Sequence, residues 1–99
     1  VFIFPSLAEG WGIAPVEGLA CHLPVVCYGL DVLKENLRHG AVFVPFRDFD
    51  TFAEETIKLL SNEDYRTELG GAGRKLAEEY SWDRIAEREL EILQKVVDG

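Results

Sequence analysis

The chain has 99 residues, of which 47% are apolar and 28% charged. This is one domain's worth of chain with an ordinary globular composition. The net charge of −8 argues against a non-specific nucleic-acid binder and against an anionic membrane surface as partner. No apolar run approaches the roughly 20 residues that span a bilayer, and the start lacks a secretory signal. We therefore expect a cytoplasmic protein, with the inner face of the membrane as the alternative location. Because the chain contains no methionine and starts on an apolar run, we expect it to be a piece of a longer protein.

Three short apolar runs predict a parallel sheet. They are Val1–Phe4, Val25–Tyr28 and Ala41–Val44, each bounded by glycine or proline on at least one side. Runs without polar alternation are typical of strands that are buried on both faces. Helical segments between the runs indicate right-handed crossovers. The predicted fold class is therefore α/β, with a three-stranded Rossmann-like layer followed by an all-helical C-terminal stretch.

Two crossover helices are predicted between these strands. The first begins near Ala14, because the proline that follows suits a first helical turn. It ends near His22, a residue type that tolerates the left-handed conformation usually taken by glycine. The second runs from Asp31, as its N-cap, to His39, with Gly40 as the stop.

The rest of the chain reads as helix. Thr51 and Glu54 have the spacing of a capping box, and Ser61 begins a second, weaker cap signal. The pair Gly70–Gly71 is expected to interrupt the helix that follows. Ser81 is predicted to cap a last helix, which carries an apolar stripe. That stripe consists of Trp82, Ile85, Ala86, Leu90, Leu93 and Val97.

The cysteines and histidines do not indicate a metal site. Cys21 and Cys27 lie in apolar stretches and lack the spacing of zinc ligands, so we expect two buried free thiols. His22 and His39 have no second ligand at helical spacing.

The loop after the first strand is the candidate site, because ligands of parallel sheets bind outside the carboxyl ends of the strands. Gly10 and Gly12 let the backbone approach a ligand closely. The next helix directs the free N–H groups of Ile13 and Ala14, with the positive end of its dipole, towards this loop. This combination favours a phosphate group.

Two glutamates flank these backbone groups. Glu9 lies in the loop and Glu17 eight positions later, in the predicted first turn of the helix. A carboxylate accepts two hydroxyl groups well, so each suits a sugar ring or a ribose. The alternatives are that the helix dipole favours Glu17, that Glu9 is a solvated loop acid, and that Trp11 is a core aromatic. Their occurrence together at one sheet edge favours a binding site.

Five segments, in chain order, resemble the retaining GT-B glycosyltransferases of the large "group 1" family (family 4). Residues 9–17 look like the family's motif of two glutamates separated by seven residues. Residues 18–26 resemble its helix-to-strand segment, residues 41–45 its next strand and residues 52–60 its following helix. Residues 80–83, Tyr-Ser-Trp-Asp, resemble its aromatic-Ser-Trp signature. The resemblance implies that residues 1–99 are part of a nucleotide-sugar-binding C-terminal domain, without the acceptor domain and the upstream half of the donor domain.

The resemblance also implies roles for the loop. Glu9 would be the catalytic residue beside the donor sugar, and Glu17 would hold the nucleotide ribose. The backbone of the residues between them would meet the sugar and the phosphates; these are Gly10, Trp11, Gly12, Ile13 and Ala14. The implied reaction is metal-independent transfer of a hexose, with retention and without a cofactor, from a nucleotide diphosphate sugar to an unknown acceptor. The alternatives are a non-catalytic nucleotide or nucleotide-sugar binding module and a structural interaction domain.

Part of the expected donor site is missing. The chain has no lysine or arginine from Val1 to Leu33, although a diphosphate needs compensating positive charge. The resemblance implies that these bases come from upstream and that the acceptor binds to a separate N-terminal domain. We expect the 99 residues to be inactive alone. The expected partners are the donor, a small or lipid-linked acceptor, the N-terminal domain and a second copy meeting exposed surfaces, but no nucleic acid. Gly18, where the family commonly has alanine, is expected to weaken its helix.

Overall fold

The computed structural model describes residues 1–99, in which strands and helices alternate up to residue 44 before the chain becomes helical. The elements are β1 Phe2–Phe4, α1 Ile13–Ala20, β2 Val25–Tyr28, α2 Asp31–Leu37, a 3₁₀ turn at Arg38–Gly40, β3 Ala41–Val44, α3 Phe49–Ser61, α4 Glu63–Glu78 and α5 Trp82–Asp98.

β2 lies at the centre of a parallel sheet with the order β1-β2-β3. Val25 pairs with Phe2 on one side and with Ala41 on the other. The α/β fold class and the three strands are confirmed. Only β2 is buried along its whole length, however. The prediction of complete burial is wrong for β1 and β3, because they form the edges of this sheet, and Ile3 is 54% exposed.

Alternate side chains of β2 enter two cores on opposite faces of the sheet, as the period of a strand requires. The core under α1, α2 and α4 consists of Leu19, Val25, Cys27, Leu33, Leu37, Leu76 and Ala77. The core under α3 consists of Val26, Tyr28, Val44 and Leu59. The sheet is thus covered on both faces, and the carboxyl ends of its strands lead into loops.

The end of α1 is confirmed. His22 has φ 61°, in the left-handed region. Its N–H donates to Leu19 O, and the N–H of Leu23 donates to Gly18 O at 3.1 Å. These two bonds form a Schellman motif, which uses carbonyl groups that the helix leaves unpaired. Packing explains why position 18 is a glycine, because a Cβ there would lie 2.9 Å from the ring of Phe2.

Several predicted caps are wrong by one to three residues. Asp48, not Thr51, caps α3: its carboxylate accepts the Thr51 N–H at 3.0 Å and the Thr51 hydroxyl at 2.7 Å. Asn62, not Ser61, caps α4, because Ser61 is the last residue of α3 and its hydroxyl donates to a carbonyl of that helix. Ser81 caps α5 as predicted.

The boundaries of α2 also differ from the prediction. Leu30 is extended, at φ −66° and ψ 139°, and occupies the N-cap position. Asp31 is therefore the first helical residue, where its charge suits the positive end of the helix dipole. The helix ends at Leu37 rather than His39, because Arg38 takes a positive φ of 42° and starts the 3₁₀ turn.

Gly70 and Gly71 do not interrupt α4, which is continuous from Glu63 to Glu78. Gly70 permits close packing instead, since a Cβ at this position would lie 2.3 Å from the carbonyl oxygen of His22. The glycine lets the backbone of α4 contact the turn that ends α1.

The two thiols differ in environment. Cys27 is buried in β2, and burial raises its pKa to about 12. Cys21 is exposed, so the prediction of two buried thiols is wrong for this residue. It occupies the C-cap position of α1, where the chain turns at the surface.

α5 leaves the packed part of the molecule, and every one of its residues is exposed. Its predicted apolar stripe is present, with Trp82 85% and Val97 80% exposed. None of the helices combines the length and the apolar character that crossing a membrane requires.

Candidate functional site

The loop between β1 and α1 ends in a sharp turn that requires glycine. Gly12 has φ 101°, a value that side chains rarely allow, and it is buried. A Cβ there would lie 2.6 Å from Leu33 Cδ2 in the core. Gly12 also occupies the N-cap position of α1, where no side chain caps the helix.

The start of α1 therefore presents unpaired backbone donors. The N–H groups of Gly12, Ile13 and Ala14 have no acceptor within the chain. Ile13 and Ala14 are exposed, and the positive end of the helix dipole strengthens the attraction of their N–H groups for an anion. This is the arrangement with which helix N-termini bind phosphate and other anions.

Glu9 lies half-buried on the strand side of this turn. Its Oε1 is 2.8 Å from the hydroxyl oxygen of Ser6, which donates to it. Outside residues 9–11, no atom of the chain lies within 4 Å of the position that a Cβ on Gly10 would take. Glu9 is thus anchored through one oxygen, while the neighbouring space is open to a ligand.

Glu17 lies on the exposed surface of α1, in its second turn rather than in the first turn predicted. The dipole explanation of Glu17 therefore fails, because that effect falls off within the first turn. Its carboxylate has no hydrogen bond or ion pair in the chain. It lines a cleft of ≈ 560 Å³ together with Arg74, Tyr80 and Arg84, among others.

Trp11 lies at the surface, 37% exposed, so the core-aromatic alternative is wrong. Its ring meets the ring of Tyr80 edge to face, with centroids 5.0 Å apart. The side-chain amide of Asn36 donates to the Trp11 carbonyl oxygen at 2.8 Å. Asn36 carried no signal in the sequence, and Tyr80 stood out only as part of the aromatic-Ser-Trp segment.

Two cations lie near the carboxyl ends of the strands. A Cβ on Gly29, directly after β2, would be 3.3 Å from Lys34 Nζ. Arg47 follows β3 and lies over the ring of Phe46. Both follow the stretch without bases from Val1 to Leu33, and the Lys34 side chain reaches back towards Gly29. No three His, Cys, Asp or Glu side chains gather as a metal-binding group would.

A larger cavity, of ≈ 700 Å³, lies elsewhere. It is lined mainly by apolar side chains of β1, the following loop and α3, and also by Arg47, and it contains neither Glu9 nor Glu17. Such a lining suits neither a diphosphate nor a sugar, which need polar partners. The loop and the start of α1 therefore remain the candidate site on chemical grounds.

Comparisons with known proteins identify the family to which the chain belongs. The profile of the family "Glycosyl transferases group 1" matches residues 1–76. The chain is 36% identical to the alpha-maltose-1-phosphate synthase of Mycolicibacterium smegmatis, over 97% of this chain and 27% of that protein. It is 31% identical to the phosphatidyl-myo-inositol mannosyltransferase of Mycobacterium leprae, over 97% of this chain and 26% of the relative.

The fold has a counterpart among solved structures. The sucrose-phosphate synthase of Thermosynechococcus elongatus superposes with a TM-score of 0.87 at 22% identity, over 97% of this chain and 25% of that one. The chain spans about a quarter of the length of the curated relatives it matches.

Proposed function

The chain belongs to the group 1 glycosyl transferases, and from this premise we propose that its protein transfers a hexose from a nucleotide diphosphate sugar to an acceptor. In this proposal residues 1–99 supply part of the donor site. The acceptor site and the remaining donor contacts come from other parts of the longer protein, so the 99 residues alone are inactive. A cytoplasmic location is part of the proposal and is supported by two thiols that form no disulfide.

One observation carries the proposal: the acceptor-free N–H groups of Ile13 and Ala14 lie between two available carboxylates along the chain. The amides suit the diphosphate, which carries negative charge. Glu17, exposed and unpaired on α1, suits the ribose hydroxyls. Glu9, which Ser6 anchors through one oxygen, suits the hydroxyls of the sugar being transferred.

The mechanism proposed is transfer with retention at the anomeric carbon and without a metal ion. Glu9 is the catalytic residue because it would contact the sugar whose bond breaks. Its carboxylate would accept hydrogen bonds from the sugar hydroxyl groups in an oxocarbenium-like transition state. The two-carboxylate mechanism of glycosidases is not assigned to Glu9 and Glu17. Retention and metal independence rest on the family resemblance.

The test uses the full-length protein with a panel of nucleotide sugars and acceptors. Glu9→Gln should lower kcat roughly 10–100-fold, the effect of weakening hydrogen bonds to a charged acceptor. Glu17→Ala should chiefly raise the Kd for the nucleotide. The matched controls are Glu54→Gln and Glu91→Ala, which alter exposed helical glutamates far along the chain and should leave both quantities unchanged.

Three outcomes would contradict parts of the proposal. A fully active Glu17→Ala protein would remove the ribose role. Turnover lost on adding EDTA would overturn metal independence, and an inverted anomer in the product would overturn retention. A full-length protein that binds nucleotide but transfers no sugar would indicate the non-catalytic binding module instead.

A further inference from the structure

The peptide bond between Trp11 and Gly12 is held from outside its own loop. The side-chain amide of Asn36, on α2, donates to the Trp11 carbonyl oxygen at 2.8 Å. From this contact we propose that Asn36 and Tyr80 are positioning residues that aim the Gly12 N–H at the diphosphate of the donor. The inference rests on the proposed function and adds two residues from outside the loop to its site.

Holding one end of a peptide group fixes the other end. The carbonyl and the N–H of a trans peptide point in opposite directions because the group is planar, and the chain contains no cis peptide bond. An oxygen of Trp11 directed at Asn36 therefore directs the Gly12 N–H away from α2. This N–H has no acceptor in the chain. It is therefore available to an anion that binds at the start of α1.

This peptide group needs an external restraint because glycine follows it. Gly12 has φ 101°, but glycine adopts negative φ values about as readily. The group could therefore rotate and turn its N–H away from the ligand. The hydrogen bond from Asn36 favours one of the two orientations.

Tyr80 restrains Asn36 in turn. Its hydroxyl donates to the backbone carbonyl of Asn36 at 2.8 Å, and its ring contacts the ring of Trp11. Tyr80 also lines the cleft that contains Glu17. One side chain near the end of α4 thus contacts both the loop and the surface beside Glu17.

The experiment measures, in the full-length protein, the Kd for a nucleoside diphosphate and for the same nucleoside without phosphates. Asn36→Ala should weaken diphosphate binding roughly 5–10-fold, the worth of about one hydrogen bond, and leave nucleoside binding unchanged. Tyr80→Phe, which keeps the ring contact, should weaken diphosphate binding about 2–5-fold. Asn36→Asp should weaken it at least as much as Asn36→Ala, because it replaces the donor with a charged acceptor.

Two matched variants separate positioning from simple loss of stability. Asn62→Ala removes the side-chain cap of α4, and Tyr65→Phe removes a hydroxyl that makes no hydrogen bond in the chain. Neither should change the ratio of the two dissociation constants. If Asn36→Ala fails to fold, Tyr80→Phe and Asn36→Asp give the same test.

The outcomes distinguish this inference from the proposed function. If the wild type binds the diphosphate and the folded variants bind it equally well, the inference is overturned alone. An equal loss for diphosphate and nucleoside would also overturn it, because a general structural effect would explain that loss. If the wild type binds no nucleoside diphosphate, the proposed function fails, and this inference fails with it.

Discussion

Gly70 and Gly71 are adjacent in α4, and the structure predicts opposite effects of alanine at the two positions. At Gly71 a new Cβ would meet no atom within 4 Å, so the variant should gain the helix propensity of alanine, about 0.8–1.0 kcal/mol. At Gly70 the Cβ would lie 2.3 Å from the backbone oxygen of His22, which cannot rotate away. The propensity gain is common to both variants and cancels in their difference. The overpacking that remains should destabilise Gly70→Ala by about 1–3 kcal/mol relative to Gly71→Ala. We expect a value near the upper end of this range, because the backbone must move.

Urea denaturation followed by far-UV circular dichroism measures this difference. With an m value of about 1 kcal/mol/M, the Gly70→Ala midpoint should lie about 1–3 M below that of Gly71→Ala. Each variant is also compared with the wild type, and the Gly71→Ala protein should unfold at a higher urea concentration than the wild type. Equal midpoints for the two variants would refute the close packing of α4 on the turn after α1. A stabilised Gly70→Ala protein would refute it as well.

Three further predictions follow from local geometry. His22→Gly should raise the free energy of unfolding by about 0.5–1 kcal/mol, measured in urea, because the left-handed conformation strains histidine but not glycine; no gain would contradict that strain. Gly12→Ala should destabilise the protein by at least about 1–2 kcal/mol, since a side chain is strained at this φ, whereas the control Gly10→Ala should cost less because its Cβ enters open space; equal losses would contradict this difference. At pH 8 iodoacetamide should alkylate Cys21 and spare Cys27, with mass spectrometry as the readout, because the thiol with pKa about 12 is buried and protonated. Since folding raises the Cys27 pKa, its contribution to stability is complete below its unfolded value of 9.0 and is lost as pH rises towards about 12; rapid labelling of native Cys27 would contradict its burial.

The sheet was predictable because its signals are local. The bounds of β2 and β3 agree with the apolar runs that predicted them, and β1 begins one residue later than its run. Each run is bounded by residues that end a strand. Parallel strands that are joined by a helix have a right-handed crossover in almost all proteins, so few topologies remain. The left-handed conformation of His22 was predictable for the same reason.

The wrong predictions all involve choices between neighbouring residues or contacts between distant ones. Asp48 and Thr51 can each cap a helix, and only the backbone decides which one does so. The pair Gly70–Gly71 has poor helix propensity, but contact with the end of α1 requires a small residue at the first position. Tertiary packing overrode local preference in this case.

The candidate site divides in the same way. Glu9, Glu17 and the intervening amides could be proposed from the sequence because they lie within nine consecutive residues. Asn36 and Tyr80 were not, because they reach Trp11 across 25 and 69 positions of chain, through contacts that no spacing rule describes. Spacing also placed Glu17 in the first turn of α1 instead of the second, since the helix begins one residue earlier, at Ile13 rather than Ala14.

Hydrogen–deuterium exchange of the full-length protein, with and without a saturating nucleoside diphosphate, tests the central claim most directly. The amides of Gly12, Ile13 and Ala14 have no acceptor in the chain, so bound diphosphate should slow exchange in the peptide that covers residues 10–17. A peptide from α5, where all residues are exposed, serves as the internal control and should not change. Saturated binding with unchanged exchange at residues 10–17 would contradict the assignment of this loop as the diphosphate site.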